Sequence, residues 1–144
     1  MNSAGGPAHV SAQHLPEISS SYLHASNYLG STYVVFSLSV DDGSIQEMVY
    51  EEHYGKGTGV VMPNQEWAHP HGAFFNGPYV YVVDLGGDRI MVYEAKANGH
   101  IIKLQQFDMP VPGIHNKAIT KSMLYIALFI LYYRRSRAQT LGHC

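Results

Sequence analysis

The stretch that decides the fold is AHPHGAFFNGPYVYVVDLGGDRIMVYEA, Ala68 to Ala95. It places His69 and His71 one residue apart, then a β-forming block, a Gly-rich turn with Asp84, Asp88 and Arg89, and a second β-forming block. The blocks YVYVVD and RIMVYE are almost continuously apolar, as expected of strands buried on both faces. Their Val, Ile and Tyr content suits a pleated, packed surface.

This stretch has a partner upstream. ASNYLGSTYVVFSLSVDDGSI, Ala25 to Ile45, overlays VVDLGGDRIMVYEAKANGHI, Val82 to Ile101. Asn27 falls on Asp84, Gly30 on Gly87, and Val34-Val35-Phe36 on Met91-Val92-Tyr93. Asp42-Gly43 falls on Asn98-Gly99 once one residue is dropped, and Pro7 with His9 on Pro70 with His71. Asp-Gly and Asn-Gly between apolar runs are hairpin turns, because both central positions need positive φ. Each unit thus reads as four short strands joined by tight turns. Glu51 to Ala68 between the units reads as a long surface loop, and His14 to Ser21 within the first as a shorter insertion. A third copy starts near His115, but Leu128 stands where Asn or Asp is required and no glycine follows.

Tandem four-stranded units mark a β-propeller, which closes with about four to eight blades. The fold class is therefore all-β, an incomplete β-propeller of about two four-stranded blades plus a fragment of a third. Residues 1–113 form the partial propeller, with blade 1 at about 7–50 and blade 2 at about 69–107. Residues 114–144 are a degenerate third blade or a non-native tail. Open blade stacks leave edge strands bare, so self-association through uncovered blade edges is expected.

Composition narrows the function classes. The chain has 144 residues, 46% of them hydrophobic, eleven tyrosines and a net charge of −2. That excludes default disorder and supplies no basic stripe for nucleic acid. The single cysteine, Cys144, cannot build a disulfide framework or a thiolate zinc cluster, nor is it four from the end as a prenylation box requires. The N-terminal residues lack the basic and apolar regions of a secretory signal, so a cytoplasmic setting is expected. Met123 to Tyr133 is apolar, but eleven residues fall short of the ~20 that span a bilayer, so no membrane partner is expected.

At the level of residues, AHPHGAFFNGPYVYVVDLGGDRIMVYE resembles the lactonase family of seven-bladed β-propellers, known for 6-phosphogluconolactonase activity. GGPAHVS followed by ASNYLGSTYVVFSL is similar to the preceding blade of that family. The resemblance covers about residues 5–107 and implies hydrolysis of a sugar δ-lactone, most simply 6-phosphogluconolactone, in the pentose phosphate pathway. It implies a small-molecule sugar lactone as partner and no cofactor. Lactone hydrolysis needs a base for water and a cation or donors for the growing oxyanion. His71 is the candidate base and Arg89 the candidate oxyanion or phosphate contact, both catalytic. His69, Asp84 and Asp88 are candidate substrate-binding residues.

Each has a structural reading beside it. His69-x-His71 suits a metal pair by its period, but no further ligand pattern follows, so no metal is expected. Recurrence of His at one repeat position favours a blade-locking imidazole at His71. Asp84 shares its position with Asn27 and suits turn capping. Asp88-Arg89 reads as a local ion pair, Gly86 and Gly87 as left-handed turn residues, and GKGTG (Gly55 to Gly59) as a flexible loop rather than a phosphate cradle. Trp67 reads as a plug between blades, with stacking on a sugar ring as the alternative. The alternative function is a non-catalytic propeller fragment that binds proteins through its blade edges.

Overall fold

The computed structural model describes residues 5–96 and 99–109. Asn98, the third-repeat residues from His115 onward, the apolar run Met123 to Tyr133 and all of 114–144 lie outside the described residues. Within the described residues the chain is all-β. Its eight strands are β1 (Pro7–Leu15), β2 (Ser20–Asn27), β3 (Thr32–Leu38), β4 (Ile45–His53), β5 (Pro70–Asn76), β6 (Tyr79–Asp84), β7 (Arg89–Ala95) and β8 (Ile101–Asp108). They form two four-stranded sheets, ordered β1-β2-β3-β4 and β5-β6-β7-β8, with every neighbouring pair antiparallel. These are two propeller blades. No described helix is long and apolar enough to cross a membrane.

The repeat extends to two of its irregularities, while a third, between Phe36 and Leu38, belongs to blade 1 alone. Pro7 pairs with Asn27 and Pro70 with Asp84, and a bulge follows the proline in both blades. A second bulge falls between Val35 and Phe36 in blade 1 and between Val92 and Tyr93 in blade 2. Bulges re-aim side chains and add twist, so two blades built on one template share their corners. The hairpin glycines Gly43 and Gly99 both adopt positive φ, 72° and 82°. The insertion at His14 to Ser21 is a single 3-10 turn, Pro16–Ile18, between β1 and β2.

The first strands are inner and the fourth outer. Strand β5 packs on β1 and β2, whereas β4 and β8 are largely exposed. Strands β6 and β7 are buried along nearly their whole length, as their continuous apolar sequence requires.

The interface between blades combines an apolar core with two polar chains. Val35, Tyr33 and Tyr22 of blade 1 meet Ala73, Val80, Val82, Met91 and Tyr93 of blade 2. Glu52 on β4 accepts from Tyr50 (2.8 Å), from Tyr93 of blade 2 (2.9 Å) and from the Lys103 ammonium of β8 (2.7 Å). Since Tyr93 spends its proton on Glu52, the Tyr54 hydroxyl donates to Tyr93 at 2.6 Å. Burial opposes ionisation of Glu52, but the donors from Lys103, Tyr50 and Tyr93 outweigh it and hold the carboxyl below its ordinary value.

The second chain runs through His24. The Gly77 carbonyl must accept, so the Gln13 amide nitrogen donates to it at 2.7 Å. The Gln13 oxygen then accepts from His24 Nε2 (3.1 Å), and His24 Nδ1 accepts from the Tyr33 hydroxyl (2.6 Å). His24 is consequently a neutral core imidazole, and burial lowers its pKa to about 3.

Candidate functional site

The starts of β1, β3, β5 and β7 and the ends of β2, β4, β6 and β8 share one end of the sheets by their antiparallel order. All five candidate residues, His69, His71, Asp84, Asp88 and Arg89, lie at this end.

Asp84 closes β6 and is buried. Its Oδ1 accepts from the backbone amides of His69 (2.7 Å) and Gly87 (2.9 Å), and its Oδ2 from Arg89 Nε (2.8 Å). It therefore ties the approach to β5, the turn and the start of β7 into one knot. Arg89 pairs with Asp84, not with its neighbour Asp88 as the sequence suggests. A second Arg89 donor, Nη2, goes to the Tyr54 carbonyl at 3.0 Å, and the guanidinium carbon lies 5.6 Å from the centre of the Tyr54 ring. The guanidinium is thus oriented from two sides, with its charge kept at the site end.

Asp88 accepts from Thr58 at 3.0 Å and from the Gln65 amide, and Gln65 also donates to the Leu85 carbonyl at 3.3 Å. Gln65 Oε1 accepts the Val61 amide at 2.8 Å, while the Thr58 amide reaches the Gly86 carbonyl at 2.9 Å. The loop read as flexible is thus a strap fastened over the Gly86–Asp88 turn.

The glycines of that turn are needed for close approach, not for positive φ. A Cβ on Gly86 would stand 1.9 Å from the Trp67 carbonyl oxygen, and one on Gly87 would stand 2.3 Å from Asp84 Oδ2. The left-handed position is Asp88, φ 48°, matched in blade 1 by Ser31, φ 52°. Asp88 and Arg89 line a cavity of about 360 Å³ together with Lys56, Thr58, Gln106 and Asp108. His69 and His71 are outside that lining.

The histidines occupy an extended run that enters β5. Burial alternates along it: Ala68, Pro70 and Gly72 are buried, while Trp67, His69 and His71 face outward to differing degrees. The His69 ring stacks flat on Tyr28, 4.0 Å between centroids and 4° between planes. Its Nδ1 lies 2.9 Å from the Tyr28 carbonyl, an obligate acceptor, so Nδ1 carries a proton and the neutral ring keeps its lone pair on Nε2. His71 meets the edge of Tyr28 at 6.2 Å. Burial, and secondarily the charge of His9, lower the His71 pKa, which favours a neutral imidazole with base character.

Two sequence readings change here. With Pro7 on Pro70 and a bulge after each, His71 corresponds to Ala8 and His9 to Gly72. His71 is therefore not a recurring blade lock. His9 fills that role, accepting the Ala73 amide at 3.4 Å and stacking on Phe74 at 5.9 Å. Trp67 is 49% exposed and plugs no gap between blades. Sequence reasoning also missed Tyr28, whose only cue was an aromatic directly after the Asn27 turn cap. Among the described residues no group of three or more His, Cys, Asp or Glu side chains is placed to hold a metal ion.

Two tandem blades with this proline-histidine entry and Asp-turn-Arg corner define a β-propeller protein. Residues 2–113 match the family model of the lactonase, 7-bladed β-propeller. The chain belongs to that family. Among solved structures it is similar to a protein from Lactobacillus plantarum, with a TM-score of 0.52 and 24% identity over 61% of this chain and 25% of that one. It is also similar to a "putative 6-phosphogluconolactonase" from Bacteroides uniformis, with a TM-score of 0.50 and 20% identity over 71% of this chain and 27% of that one. The chain thus spans about a quarter of the length of these structures. No curated protein matches it.

Proposed function

We propose that the chain hydrolyses a sugar δ-lactone, with 6-phosphogluconolactone giving 6-phosphogluconate as the specific reaction. The observation that carries this reading is His71: an outward-facing imidazole with a lowered pKa, at the loop end of an inner strand, in a chain of the lactonase family. His71 accepts a proton from water as the water oxygen bonds to the lactone carbonyl carbon. The ring C–O bond then breaks, and the proton passes to the departing ring oxygen. Arg89, pre-oriented by Asp84 and Tyr54, offers its charge to the oxyanion or to the substrate phosphate. Asp84 and Asp88 hold the corner in shape, and His69 presents Nε2 as an acceptor for a substrate hydroxyl. No cofactor enters this scheme. The reading carries a cytoplasmic setting on the pentose phosphate route, in keeping with a lone cysteine.

A coupled assay on 6-phosphogluconolactone with the folded chain is the test. A rate above the buffer background that falls by roughly 10²–10⁴ in His71→Gln is expected of a general base. A folded chain with no rate above background would remove the hydrolase reading and leave the non-catalytic module.

A further inference from the structure

The one tryptophan of the chain stands in an unusual place. Trp67 precedes His69 by two residues in the extended run that enters β5. An extended chain rises about 3.3 Å per residue, so side chains two apart lie on one face about 6–7 Å apart. Burial follows that period: Ala68 is fully buried, while Trp67 on the His69 side is half exposed. Trp67 and His69 thus share a face of the extended run, and Tyr28 meets both His69 and His71, the latter at the bulge after Pro70.

The backbone that carries the indole is fixed. Trp67 bridges Lys56, the Ala68 amide donates to the Gly55 carbonyl at 3.0 Å, and the Trp67 carbonyl occupies the space that a side chain on Gly86 would need. Exposing half of an indole forgoes burial worth roughly a kcal/mol or more. An exposed indole on a fixed backbone, on the same face of the run as His69 and followed by His71, matches a ligand with one apolar face and a polar rim. A pyranose-sized ring is such a ligand: its C–H bonds face the electron-rich π surface, and its hydroxyls reach the imidazoles.

We propose that Trp67 is the stacking platform for the sugar ring and sets the selectivity of the site for six-membered cyclic sugars. The proposal rests on the lactone reading and deepens it.

D-glucono-1,5-lactam, a hydrolysis-resistant cyclic analogue, is the probe. Calorimetry measures binding, and the emission of the single tryptophan reports whether the ring meets the indole. A saturable change in emission that tracks the heat is expected, with inorganic phosphate alone producing neither. In Trp67→Ala the Kd rises about tenfold, the size of one stacking contact, and in Trp67→Phe it stays within about threefold, with unchanged urea midpoints in both. Lactam heat with unaltered emission and an unaltered Kd in Trp67→Ala would overturn the platform and leave the lactone reading intact. No heat and no emission change with the folded chain would overturn both.

Discussion

Arg89 Nε donates to Asp84 Oδ2 across the β6–β7 turn, and Asn27 Nδ2 donates to Thr32 Oγ1 across the β2–β3 turn, with the same five-residue separation and nearly the same length, 2.8 and 2.9 Å. One corner is charged and the other neutral, on a single backbone template. The neutral pair should therefore substitute for the charged one. Asp84→Asn and Arg89→Thr singly are each expected to cost about 2–3 kcal/mol, because each strands a largely buried charge. The double variant should recover at least ~1 kcal/mol of the summed loss. Urea unfolding of the four proteins measures the cycle, and strict additivity would deny the corner its pairwise character.

The strap over the turn depends on Gly86. Gly86→Ala drives a methyl into the Trp67 carbonyl, so a loss of about 3 kcal/mol and rapid protease cleavage within residues 55–68 are expected. Gly43→Ala serves as comparison: its φ is 72° but its Cβ would meet open space. It should cost only about 1 kcal/mol and leave the strap resistant.

Acid should loosen the blade interface through His24. Its folded pKa of about 3 lies below the ordinary histidine value of 6.5. Protonation therefore favours the unfolded chain: the contribution of His24 is complete above pH 6.5 and declines as pH falls towards 3. Between pH 7 and pH 5 the loss attributable to His24 is about 2 kcal/mol. Denaturant titrations at the two pH values, compared with His24→Gln, isolate that share as the part of the slope the variant lacks.

The acid limb of catalysis reports His71. A base works unprotonated, and burial together with His9 lowers the His71 pKa from 6.5. kcat/KM on the lactone should hold level through neutral pH, after subtraction of spontaneous hydrolysis, and fall only below pH 6.5. In His9→Gln the limb should shift upward. A limb above pH 7 in the unmodified protein would contradict the assignment.

Much of the scaffold was legible in the sequence because it rests on local chemistry. The buried strands β6 and β7 announce themselves as unbroken apolar runs, and the Asp-Gly hairpin demands positive φ at Gly43. Asp84 and Asn27 were equated from turn residues alone, and the strand register agrees. The histidines were harder. A bulge shifts pairing by one residue without any change in composition, so His9 and His71 looked equivalent when they are not. The role of Gly86 was also hidden, because close approach by the Trp67 carbonyl is a contact from a distant loop and leaves no mark on the turn itself. Likewise the fastening of residues 55–68 depends on Gln65, an unremarkable residue in a glycine-rich segment.

The carboxylate of Glu52 belongs by sequence to one blade, while two of its three donors, Tyr93 and Lys103, belong to the next. A solitary leaf would keep only Tyr50 of these three donors and would leave the Tyr54 hydroxyl without Tyr93, so the carboxylate's shell is completed at the seam and not within either leaf.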